Sequence, residues 1–85
     1  MTKIIASITE TEADLLELAI QEAADASKKK DSLAAVSALS TALALDPKRA
    51  DLWQDLGVAY ARLQVWPACV NSLEMALELE PDRVG

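Results

Sequence analysis

Apolar residues recur along this chain at three- and four-residue steps, the spacing that puts them on one face of an α-helix. Leu15, Leu16, Ala19, Ile20, Ala23 and Ala24 form the first such stripe. The spacing predicts a helix starting near Thr9, where Thr9 with Glu12, and Thr11 with Asp14, have capping-box separation. It ends near Ser27, with Lys28, Lys29 and Lys30 beside its carbonyl end. Cations there offset the helix dipole in a solvated turn; three lysines are weak evidence for a phosphate contact. A second helix, capped by Asp31 or Ser32, runs to about Leu45, and a third runs from about Arg49 to Leu63. A fourth opens with Pro67, a favoured first helical residue, and runs to about Leu79. The connections are short, so neighbouring helices must pack antiparallel. Residues 1–9 precede this pattern as an arm. Its Ile4, Ile5 and Ile8 either belong to a frayed end or cover the first helix.

Shifting the chain by 34 residues lays its second half on its first. Ala34 falls on Ala68, Val36 on Val70, Leu39 on Leu73, Ala42 on Ala76, Leu43 on Leu77, Leu45 on Leu79 and Pro47 on Pro81. The matches keep helical spacing, and a proline, which cannot continue the helix, closes each copy.

The composition narrows the fold class to all-α. The 85 residues are 52% apolar but only 4% aromatic, with no Phe, two Gly and three Pro. Much of the apolar content is Ala and Leu, strong helix formers. Eight basic against 14 acidic residues give a net charge of −6. With no basic stripe, nucleic acid is not an expected partner. Apolar runs far shorter than the ~20 residues of a bilayer span predict no membrane association. The short apolar stretch at the start does not read as a signal peptide, so a cytoplasmic setting is the default expectation.

The third and fourth helices read Trp53-x-x-Leu56-Gly57-x-x-Tyr60, then Cys69, Leu73, Ala76 and Pro81. This pattern resembles the tetratricopeptide repeat, which places those residue types at those spacings within one repeat. Residues 50–83 supply one well-matched copy, with Cys69 where the family prefers Ala and Leu73 where it prefers an aromatic. A degenerate copy lies in residues 10–49, its aligned repeat running from 16 to 49. Its second helix matches at Ala35, Leu39, Ala42 and Pro47. In its first helix Ala19, Glu22 and Ala26 stand where the family has Trp, Leu and Tyr. Residues 84–85 form the C-terminal end. The resemblance implies two tandem helix-turn-helix hairpins, a fragment of a right-handed superhelix whose concave face comes mainly from the first helix of each pair. In physical terms, Gly57 and Cys69 are small residues on facing helices, as are Ala23 and Ala35, and such pairs let helices approach closely. Trp53 and Tyr60, two turns apart on one face, supply bulk around that contact.

Little catalytic chemistry is present. The sequence has no His and one Cys, so the commonest general base and any intrachain disulfide are excluded. Cys69 reads as a small core residue. Glu74, Glu78, Glu80 and Asp82 read as a solvated face rather than a metal site. Trp66 is expected to pack across its hairpin; left exposed, it would be a contact hot spot. No enzyme, metal or cofactor is expected.

What remains is binding to a protein or peptide. The resemblance places Glu17, Ile20, Gln21 and Ala24 on the concave wall from the first helix, and Asp51, Gln54, Asp55, Val58 and Arg62 from the third. Some family members grip a chaperone's C-terminal carboxylate with Lys, Arg and Asn residues on this face. Those residues are missing here, and Asp55 would repel a carboxylate. A segment with apolar and basic residues fits better. The alternative is a structural unit that self-associates or begins a longer array. Leu73, Ala76 and Leu77, with Met75 beside them, keep the apolar character of an internal repeat with no helix after them. They are the expected contact of a two-fold homodimer.

Overall fold

The computed structural model describes the backbone of residues 2–82 and the side chains of residues 13–82. Four helices follow one another: α1 (Thr2–Lys28), α2 (Ser32–Leu45), α3 (Ala50–Arg62) and α4 (Trp66–Leu79). The described residues contain no strand. Contacts join α1 to α2, α2 to α3 and α3 to α4, so two hairpins stack in chain order.

Three of the four helices lie within two residues of their expected limits. The exception is α1, whose backbone is helical from Thr2 rather than from Thr9. No Pro or Gly lies between residues 2 and 9. Once α1 is nucleated, extending it upstream adds one hydrogen bond per residue fixed. The arm is therefore the first turns of α1, with the Thr9 and Thr11 boxes inside the helix. The Ile4, Ile5 and Ile8 side chains, and Val84 and Gly85, lie outside the described residues.

Both hairpins turn in the same way. Asp31 N–H donates to Ala26 O at 2.8 Å, and Val65 N–H donates to Tyr60 O at 3.0 Å. In each turn the preceding residue is left-handed: Lys30 has φ 58° and Gln64 φ 61°. This is the six-to-one closure that ends many helices, usually with Gly. The second hairpin differs at its entry. Asp31 caps α2 by accepting from Ala34 N–H at 3.2 Å. Its counterpart Val65 makes no side-chain cap, and α4 relies on Pro67 in its first turn.

The core is built from small residues. Ala19, Ala23, Ala26, Ala35, Ala38 and Ala42 are buried with Leu39, Leu43, Leu52, Leu56 and Ala59 in one cluster. Trp53 and Tyr60 pack against it, half-buried. Trp53 Nε1 also donates to Pro47 O at 2.8 Å, fastening α3 to the turn before it. The tightest approach is at Gly57. A Cβ there would sit 2.8 Å from Leu73 Cδ2, 2.9 Å from Leu73 Cγ and 3.4 Å from Cys69 O. Small residues are required where α3 meets α4, as the spacing of Gly57 and Cys69 implied.

Three outcomes test this reading by urea unfolding. Gly57→Leu should destabilise the chain by ~1–3 kcal/mol or more through overpacking. Gly57→Ala should be rescued in part by Leu73→Ala, which removes the atoms its new methyl meets. Gln64→Gly should stabilise by up to ~1 kcal/mol, because a left-handed residue with a Cβ is strained by ~1–2 kcal/mol and the flexibility of Gly returns part of that.

Candidate functional site

The residues that converge on the inner side of the stack come from three helices. Ile20, Ala23, Ala24 and Ser27 of α1 face Asp51, Leu52 and Asp55 of α3 across a cleft of about 110 Å³, with Leu39 of α2 between them. Of the nine expected groove residues, this cleft gathers Ile20, Ala24, Asp51 and Asp55. Glu17, Gln21, Val58 and Arg62 are exposed and Gln54 is half-buried, and none of the five lines it. They extend the two helices around the cleft without entering it.

The cleft is smaller than the ~300–1,000 Å³ of a typical small-molecule site. Its size suits one aliphatic side chain of a longer ligand. Larger but open grooves lie between α1 and α2. One is polar, lined in part by Glu22, Asp25, Lys29 and Asp31. The other is apolar, lined in part by Leu15, Leu18, Ala44 and Leu45. Among the described residues no three His, Cys, Asp or Glu side chains are grouped to hold a metal ion. No described helix is long and apolar enough to cross a membrane. Cys69 is buried, as a small core residue would be.

The electrostatics of the groove rim differ from expectation at Asp51. Arg49 forms a bidentate ion pair with Asp51, Nε to Oδ1 at 3.0 Å and Nη2 to Oδ2 at 2.8 Å. The hydrogen bond from Arg49 is the main cause that lowers the Asp51 pKa, and burial opposes it. Asp51 is therefore already matched within the chain and does not present a bare carboxylate to a ligand. Arg49 is the residue that sequence spacing missed. Side chains two apart on a helix do not face each other. Arg49 escapes that rule because it precedes α3 in extended backbone, at φ −89° and ψ 98°.

A stretch of 44 residues is 43% identical to "Interferon-induced protein with tetratricopeptide repeats 2" of Mus musculus, covering 48% of this chain and 9% of that protein. No family model matches the chain. The spacing, the repeated turns and this likeness agree. These are tetratricopeptide-like repeats. The TPR-like pair spans less than a tenth of the length of that relative.

The final helix of the TPR-like pair corrects two expectations. Ala76 is 0% exposed and cannot contribute to a surface contact. Leu73 is half-buried with its tip against Gly57, so most of it serves the hairpin itself. Met75 is half-buried, and Leu77 alone of the four is exposed, at 45%. Trp66 is not buried by its hairpin: it is 57% exposed.

The ion pair yields a pH-dependent outcome. A carboxylate with a lowered folded pKa stabilises fully above its unfolded value of ~3.9, and the effect is lost as pH falls through the folded value. Asp51→Asn should cost ~0.2–1 kcal/mol at neutral pH, the range for a partly exposed pair. The gap between parent and variant in denaturant midpoint should close as the pH falls below about 4.

Proposed function

We propose that this TPR-like pair is a protein-interaction module that holds a partner segment in the groove between α1 and α3. The observation that supports the reading is the cleft itself. It is apolar at Ile20, Ala23, Ala24 and Leu39, and acidic at Asp51 and Asp55. Such a cleft suits an extended or helical segment that inserts one aliphatic side chain and places a Lys or Arg toward Asp55. Asp51 and Asp55 line the cleft together, and they are the acidic groups a basic residue of the partner would meet. In the same proposal the chain is an adaptor or scaffold without catalytic activity, working in the cytoplasm.

Selection of a random peptide library on the full chain tests this. The enriched peptides should share one aliphatic residue flanked by Lys or Arg. Ala24 is exposed, so Ala24→Leu should fill the cleft without disturbing the core, and affinity should fall about tenfold or more. Asp55→Lys should weaken the same peptides, with a smaller effect at high salt. Peptides whose affinity survives both changes would place binding on another face.

A further inference from the structure

Asp51 and Asp55 stand four residues apart on α3, one turn along a shared face, and both line the inner cleft. Asp51 meets the cleft with both of its oxygens already engaged. Arg49 Nε donates to Oδ1 at 3.0 Å and Nη2 donates to Oδ2 at 2.8 Å. This is the paired geometry in which a guanidinium binds a carboxylate most strongly. The chain's own arginine therefore holds the arrangement that an arginine of a partner would seek at Asp51. Arg49 and Asp51 are 38% and 37% exposed, so water screens the pair and any discrimination it imposes is a few-fold rather than a hundredfold.

A lysine meets the same two carboxylates on different terms. Its ammonium is a compact point charge with three donors. It needs only one lone pair of an oxygen, and each carboxylate oxygen has two. Lying between Asp51 and Asp55, it is attracted by both. A guanidinium gains over an ammonium through its planar fork, and that fork serves one carboxylate at a time.

We propose that the cleft selects lysine over arginine as the basic residue of its partner segment, and that Arg49 sets this choice by filling the paired edge of Asp51. The proposal rests on the groove reading above and names the partner's basic group more closely. Arg49 acts here as a specificity residue through Asp51, without itself lining the cleft.

The probe is a library of short displayed peptides, each with one fixed Leu and all other positions random, selected on the full chain. Lys should exceed Arg beside the aliphatic residue in the enriched peptides, relative to the input. Changing that lysine to arginine in an enriched peptide should weaken binding about threefold to fivefold by calorimetry. Arg49→Lys keeps the net charge but withdraws the fork from Asp51, and it should bring the two peptides to within about twofold of each other. Asp51→Asn, which leaves no carboxylate for either fork at that position, should also abolish the preference. Equal affinity of the two peptides for the parent chain would overturn the proposal, as would an unchanged ratio in both variants. If Ala24→Leu still weakens those peptides, the groove reading stands and lysine selection alone fails. If no basic peptide is enriched, or the enriched ones ignore Ala24→Leu, both fall together.

Discussion

The close approach of α3 and α4 at Gly57 is the contact on which the second hairpin depends. A Cβ on the α3 backbone at this point would press on the Leu73 side chain and force it to shift. Once that distance is set, Cys69 must be small and Leu73 must lie against α3 rather than point away from it. The first hairpin meets the same constraint with Ala23 and Ala35, both buried. A core this rich in alanine holds its helices close by omission of side-chain bulk. The few large residues, Leu39, Leu43, Leu52 and Leu56, then fill the space where the two hairpins meet.

Close packing within hairpins also shapes the surfaces they offer. The inner cleft exists because α1 and α3 stand on the same side of α2, with Leu39 at its floor. Its narrowness follows from the small residues that line it. On the opposite end, α4 repeats the apolar face of α2 and adds glutamates beside it. One repeat pattern thus yields two unlike surfaces: a narrow notch and a half-exposed apolar stripe.

Most of the architecture was legible because helical periodicity and a 34-residue self-match carry it. The groove was legible only in part. Ile20, Ala24, Asp51 and Asp55 converge because stripe spacing fixes which residues share a face. The family pattern puts Glu17, Gln21, Gln54, Val58 and Arg62 on the concave face but does not fix how deep each one sits. The Arg49–Asp51 pair needed the extended backbone before α3, which no spacing rule reveals. The left-handed residues at Lys30 and Gln64 were hidden because neither is Gly. At the last helix, the expectation of an exposed Leu73 and Ala76 treated α4 as a bare copy of α2. It overlooked how much of that face its own hairpin partner covers.

The two tryptophans occupy opposite environments, and this gives the molecule a pair of intrinsic optical reporters. Trp53 is half-buried and hydrogen-bonded to Pro47 O, so its emission follows the integrity of the junction between hairpins. Trp66 is 57% exposed at the head of α4, so its emission follows the surroundings of that end of the helix. A blue shift without loss of the Trp53 signal therefore separates coverage of the α4 face from any change in the fold beneath it.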